Sequence, residues 1–362
     1  MNNIKKLGLT ALAGSLVTMG SATAGEMSVS GAINVTLGYG NLSGNSSRAI
    51  GSDRDVSFTG GGELDNGTTF SMNTTLDDDY AVSGSTTTIT TPSFGSFHIG
   101  VGYGLQSGKY DEEVPQAYEQ ISDAKQTMAN LVGNYMDGNA ISYTSPTFDL
   151  MGASIRVDAG YAPTAADAGF GDGANDAFNA TYGEGTELGL TISYDALQVG
   201  VYGTERETSV PNSNTTTGQE IGDEFNGAWY VKYSMGPVSI GYSETYMDAG
   251  VTADDSSSVN SSVVERTAGG IFTGEQISIA FNVNDNMSIS YTTSDETYDT
   301  QDNAATAVTT DDDVTETVDA IQVAYSMGGM SIKAYNMEVT NPDQDQNAAD
   351  ASITEIALGF AF

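Results

Sequence analysis

The 362-residue chain has one histidine, His98, and no cysteine, so few of its side chains could do covalent chemistry. Without Cys there is no thiolate nucleophile, no thiolate-bound metal and no disulfide. A Ser–His–acid triad would have to be built on His98. That residue alternates with Phe97 and Ile99, and the sequence fixes no Ser beside it. Asp343, Asp345 and Asn347 begin like a calcium loop, but Ala348 and Thr354 stand where such a loop needs Gly and Glu. Gly100, Gly102 and Gly104 continue a strand pattern instead of opening a helix, which removes a phosphate cradle. Carboxylates remain. Asp and Glu number 48 against 11 Lys and Arg, a net charge of -37 that excludes a nucleic-acid partner. Acid runs at Asp77, Asp78 and Asp79, at Asp254 and Asp255, and at Asp311, Asp312 and Asp313 read as solvated loop tips that could hold Ca²⁺ weakly. A denser group, Asp111, Glu112 and Glu113, precedes Pro115 and is followed by Glu119 and Asp123. Pro115 suits a first helical position there, and Tyr118, Ile121, Met128 and Leu131 recur at helical spacing, which predicts a short helix.

The elements around these acids read as strands. Val29, Gly31, Ile33, Val35, Leu37 and Tyr39 alternate with small or polar residues over twelve positions, a period of two. Similar runs recur down to Ile356, Leu358, Phe360 and Phe362. Seven connections are tight: 65–67, 93–95, 146–149, 195–196, 236–237, 284–286 and 328–329. Eight are long and polar, roughly 40–53, 77–85, 103–139, 162–186, 206–224, 248–264, 296–315 and 340–350. Strict alternation of the two kinds makes sixteen antiparallel strands, with turns at one rim and loops at the other. No stretch beyond the N-terminus is apolar for the roughly 20 residues of a membrane helix, so a membrane would be crossed by strands. Within lipid a sheet must close on itself, because nothing there pairs an open edge. The expected fold is therefore all-β, a transmembrane barrel with short periplasmic turns and long outer loops. A secreted sandwich shows the same periodicity. Against it, the polar face is rich in Gly, Ser and Thr, and aromatic residues gather near strand ends.

The N-terminus carries an address. Lys5 and Lys6 precede an apolar stretch over residues 7–20, and Ala22-Thr23-Ala24 has the small-residue cleavage pattern. Residues 1–24 are expected to be a cleaved signal peptide and 25–362 a single barrel.

Several segments together resemble the general diffusion porins of Gram-negative outer membranes. Phe58-Thr59-Gly60 with Glu63-Leu64-Asp65-Asn66-Gly67 looks like that family's second strand and first turn. Phe94-Gly95-Ser96-Phe97-His98-Ile99-Gly100 is similar to the entry into its fifth strand. Residues 141–148, with Tyr143, Ser145, Pro146 and Phe148, resemble the segment after its constriction loop, and Phe360 with Phe362 its C-terminal assembly signal. The resemblance implies a bacterial outer-membrane homotrimer with three pores, meeting lipopolysaccharide and the barrel-assembly machinery. It implies no cofactor and no reaction. It also implies that loop 103–139, with its helix, folds inward as the third loop and narrows the pore, with Asp111, Glu112, Glu113, Glu119 and Asp123 bordering the eyelet.

The chain departs from the family in its basic residues. With Val56 and Phe58 facing lipid, Asp55 and Thr59 face the lumen where the family usually has Arg and Lys. Arg54 is one residue out of register and points outward or to the rim. By parity the lumen also receives His98, Arg156, Lys232 and Lys333, with the acids Asp158, Glu187 and Glu355. Carboxylates around a pore favour cations. The expected function is passive diffusion of small hydrophilic solutes and ions with cation preference, the alternative a non-conducting structural or adhesin-type barrel.

Overall fold

A computed structural model describes residues 26–42, 45–78, 81–101, 110, 113–121, 140–163, 182–208, 223–248, 271–299 and 313–362. Seventeen strand segments follow in order: β1 (Glu26–Leu42), β2 (Asn45–Glu63), β3 (Thr69–Leu76), β4 (Val82–Thr91), β5 (Gly95–Val101), β6 (Ala140–Thr144), β7 (Phe148–Leu150), β8 (Ala153–Ala162) and β9 (Tyr182–Tyr194). The remainder are β10 (Leu197–Thr208), β11 (Glu224–Met235), β12 (Val238–Asp248), β13 (Ile271–Asn284), β14 (Met287–Asp299), β15 (Val314–Met327), β16 (Met330–Thr340) and β17 (Ala351–Ala361). All pairings are antiparallel, and β1 pairs with β17 from Ala32↔Ala361 to Asn41↔Ser352, so the sheet closes. The backbones of Gly31 and Phe362 exchange two hydrogen bonds, at 2.8 and 3.0 Å, and carry this seam to the last residue. The expected signal peptide, residues 1–24, lies outside the described residues.

β6 and β7 both pair with β8 and are two pieces of one barrel strand, which brings the count to sixteen. Pro146 separates them, because proline has no N–H to give to the ladder. Ser145 bridges the gap. Its N–H donates to the Val157 carbonyl at 2.8 Å, and its Oγ accepts from the Val157 N–H at 2.9 Å. The tight turn expected over 146–149 is thus corrected. The reversal comes at Met151 and Gly152, with left-handed φ of 55° and 86°. A second correction concerns 40–53, expected as a long loop. β1 and β2 run through it, paired as far as Leu42↔Asn45. Beyond the bilayer both faces of a hairpin meet water, so it shows no apolar face to read. The connection after β3 is likewise shorter than 77–85. Asp77 and Ala81 close it, the Asp77 N–H reaching the Ala81 carbonyl at 3.1 Å and the Ala81 N–H reaching Asp77 Oδ1 at 3.1 Å.

The two faces of the wall are inverted relative to a soluble protein. Along β13, Ile277 and Ile279 are 50% and 48% exposed, while Gln276 and Ser278, which alternate with them, are buried. Along β14, Ile289 and Tyr291 are exposed and Ser288, Ser290 and Thr292 buried. Such an exterior is stable only where lipid covers it, with Tyr39, Tyr194, Trp229 and Tyr291 among the exposed aromatics of an interfacial girdle. Wall height is uneven. β3 to β7 run 3–10 residues, and β9 to β17 run 11–14.

Candidate functional site

The polar residues buried on the wall converge on Tyr110 and residues 113–121 of the connection between β5 and β6. Tyr110 Oη donates to Asp158 Oδ2 on β8 at 2.8 Å and lies 3.2 Å from Thr191 Oγ1 on β9. Its ring stacks on Tyr202 of β10 at 5.3 Å and tilts against Tyr230 of β11 at 6.1 Å. Glu113 pairs with Lys232 on β11. Val114 and Pro115 lie against Gly241 on β12, and Ser278 on β13 donates to the Pro115 carbonyl. The Ala117 N–H donates to Ser290 Oγ on β14 at 2.9 Å, and the Tyr118 N–H to Gln322 Oε1 on β15 at 2.7 Å. Tyr118 Oη donates to Glu355 on β17 at 2.7 Å, with Lys333 Nζ of β16 4.9 Å from its ring centre. Ile121 is buried among Val318, Ala320, Met337, Val339 and Ala351. Ten consecutive strand segments reach one short piece of chain, which is possible only inside the cylinder. The inward fold of this loop follows from those contacts.

The helix expected here is corrected in the described part. Residues 113–120 are irregular, and Ile121 alone begins a tight helical turn. Reach explains this. From Glu113 to Tyr118 the chain must pass from β11 to β17. Five extended steps cover roughly 17 Å, against about 8 Å for a helix. Pro115, which suggested a helix start, also biases Val114 toward extended backbone. The remainder of the expected helix falls outside the described residues, as do Asp111, Glu112 and Asp123.

The other expected lumen residues are placed by register and contact. Asp55 stands opposite Ala32 on the inward face, and Arg54, opposite Ile33, faces outward and pairs with Asp78 at 3.1 Å. Thr59 donates to Asn73 at 2.9 Å, and His98 Nδ1 lies 3.0 Å from Thr88 Oγ1. Asp158 joins Thr144, Tyr110 and Arg156. Glu187 accepts from Tyr202 Oη at 3.0 Å. Lys232, expected on the lumen face, is paired there with Glu113. Phe360 stands opposite Ile33 and Met330 at the seam. Glu119 is exposed, but the wall around it hampers hydration and burial raises its carboxyl above the ordinary 4.5. Lys333 and the Tyr118 hydrogen bond oppose that rise, and Glu355 adds to it.

Other inward residues escaped the sequence reading. Arg206 and Glu224 form a buried pair at 2.6 Å, and Glu296, opposite Glu316 in the register, accepts from Gln344 at 2.7 Å. Parity along β10, β11, β14 and β15 could have found the strand members. Nothing in sequence marks Gln344 as an inward contact, since it sits in a polar connection. Among the described residues, acids on inward positions (Asp53, Asp55, Glu63, Glu113, Glu119, Asp158, Glu187, Glu224, Glu296, Glu316, Glu355) outnumber Arg and Lys there (Arg156, Arg206, Lys232, Lys333). No group of three or more described His, Asp and Glu residues could hold a metal ion.

No protein-family model matches the chain, and neither does any curated sequence. Solved structures do. OmpF of Salmonella typhi in complex with daunomycin is similar with TM-score 0.63 at 12% identity, over 93% of this chain and 97% of that one. The outer-membrane OmpT of Vibrio cholerae gives 0.59 at 16% identity, over 93% and 97%. An anion-selective porin from Comamonas acidovorans gives 0.59 at 11%, over 93% and 99%. The chain has the sixteen-stranded porin fold.

Proposed function

We propose that this barrel is an outer-membrane porin through which small hydrophilic solutes and ions diffuse passively, with a preference for cations. Sixteen strands enclose more space than side chains fill, so a closed barrel of this size holds water. The observation that carries the reading is the segment 113–121, laid along one inner wall with Glu119 exposed. It narrows the lumen and gives the narrowed part a negative edge. The inner wall of β2 to β5 offers hydroxyls, Asn73, His98 and the Asp55 carboxylate, and none of the described inward Arg or Lys residues. Export through a cleaved signal peptide, assembly through the C-terminal Phe360 and Phe362, trimerisation, and contact with lipopolysaccharide belong to the same proposal. Weak Ca²⁺ at the outer acid runs does too.

Single-channel recording of the refolded protein in a planar bilayer under a salt gradient tests it. Open steps with a cation-favouring reversal potential are expected, and Glu119→Gln should weaken that preference. Well-folded barrels with no conductance would replace the porin with a structural or adhesin-type barrel. Anion preference would keep the channel and remove the acidic eyelet.

A further inference from the structure

Two glycines lie under the inward segment, and neither is there for its backbone angles. Gly189 on β9 and Gly241 on β12 stand in mid-strand, and neither is among the residues with positive φ. Glycine weakens a strand interior and often marks a close approach of something else. Here the approaching group is visible in both cases. A Cβ on Gly189 would stand 2.5 Å from Tyr110 Oη and 2.7 Å from Tyr110 Cζ. A Cβ on Gly241 would overlap Pro115 Cδ and stand 3.2 Å from the Val114 Cα. The neighbouring contacts along the segment come from Ser278, Ser290 and Gln322, which hold it by hydrogen bonds. The wall is thus recessed at two points and adhesive on the strands beyond the second.

We infer that Gly189 and Gly241 are positioning residues for the constriction. They set how deeply the segment sinks into the wall, and so the width left open on the other side. This rests on the channel reading above. At Gly241 the obstacle is a proline ring followed by backbone, neither of which can rotate away. Packed neighbours shift as a body when a methyl is inserted between them. With β12 behind it, the segment can only move toward the lumen.

The test is unit conductance of Gly241→Ala, Pro115→Ala and the double variant, with heat-modifiable migration as the check of folding. Gly38, on the inward face of β1, is the control, because a Cβ there meets nothing within 4 Å. Gly241→Ala should lower conductance roughly 1.5-fold, since overpacked groups move instead of compressing. Gly38→Ala should leave it near wild type, and Pro115→Ala alone gives the reference value for the double variant. The double variant, which removes the ring carbon that the new methyl meets, should recover most of the loss. An unchanged Gly241→Ala overturns the inference, as does a loss that the double variant fails to recover. If Gly241→Ala does not fold, Gly189→Ala is measured instead and is expected to lower conductance in the same way. A silent wild-type barrel would sink the channel reading itself, whereas a conducting wild type with an insensitive Gly241 sinks only the glycine seats.

Discussion

The two halves of the inner wall are built by different rules. From β8 to β17 the wall carries the inward segment, and its buried polar residues include, besides hydroxyls, charged and amide groups, several of them paired with the segment across long sequence distances. Gln322 and Tyr118 are 204 residues apart, and Lys232 and Glu113 are 119 apart. From β2 to β5 the wall carries none of the described segment. Beside Asp55 and His98, its polar groups are mainly hydroxyls and one amide that satisfy each other between adjacent strands: Ser57 with Thr75 at 2.8 Å, Thr59 with Asn73 at 2.9 Å, Thr90 with Ser96 at 2.8 Å. One half uses its side chains to place a second layer, while the other has only to stay wetted and closed. Variation should therefore be costly on the first half and cheap on the second, and that contrast can be broken in four places.

The largest effect should come from Tyr110. Its ring fills the space among Tyr202, Tyr230 and the floor at Gly189, and it is fully buried. Removing a buried aromatic side chain costs about 3–5 kcal/mol. For Tyr110→Ala we expect that loss to fall on the segment's docking, not on the barrel, whose ladders do not involve Tyr110. Limited proteolysis should cut within residues 103–139 in the variant and spare the wild type. Equal resistance of both would mean that the second layer is held elsewhere.

The next effect separates charge from packing. Lys232 and Glu113 are both largely covered, and deleting one partner of such a contact typically costs about 1–3 kcal/mol. Selectivity should move in opposite directions. Lys232→Met leaves Glu113 uncompensated and should strengthen cation preference, while Glu113→Gln leaves Lys232 uncompensated and should weaken it. Reversal potentials under a salt gradient decide this. Movement in the same direction in both variants would show that loop displacement, not charge, controls the preference.

How much of this was legible in sequence follows the same division. On the bilayer-spanning parts of β1, β2, β3 and β5 the period of two indicates the face of most residues, with Asp55 inward and Arg54 outward or at the rim, because each face there meets one uniform medium; over 40–53 it indicates nothing. The tight turns were legible where Asp195, Gly236 and Gly328 announce positive φ. The turn near Pro146 was not, because a proline that interrupts a strand looks like one that ends it. On the covered half, parity placed Lys232, Lys333 and Glu355 on the inner face but could not say what each one meets. Those partners lie in a segment whose local pattern favoured a helix, and the span it must cross overrides that pattern. Gly241 reads as an ordinary strand glycine until Pro115 is seen beside it.

A smaller effect is the pH dependence of Glu119. Its carboxyl is raised above 4.5 chiefly by burial, so it takes up its proton earlier on acidification than an ordinary glutamate. Cation preference should begin to fall at a pH above that value and level off once Glu119 is neutral. Because the folded pKa is the higher one, this group's contribution favours the folded state at low pH and is lost as pH rises through the raised value. Acidification therefore removes selectivity without undocking the segment through Glu119. Glu119→Gln should abolish the upper part of the titration of the reversal potential. A curve that is identical in this variant would place the titrating group elsewhere.

The smallest effect is expected on the bare half, at Thr88. Its Oγ1 lies 3.0 Å from His98 Nδ1, on neighbouring strands of the short wall. Thr88→Val removes the hydroxyl but keeps the branched shape, and a single neutral hydrogen bond is worth about 1 kcal/mol or less where water can replace it. The imidazole stands in a wetted lumen, so water can take the place of the hydroxyl. Conductance and reversal potential near neutral pH should match wild type, and urea unfolding should shift only slightly. If instead Thr88→Val moved selectivity as far as Lys232→Met does, the bare wall would be shaping the ion path as strongly as the covered one. The division of the lumen into a placed half and a wetted half would then fail.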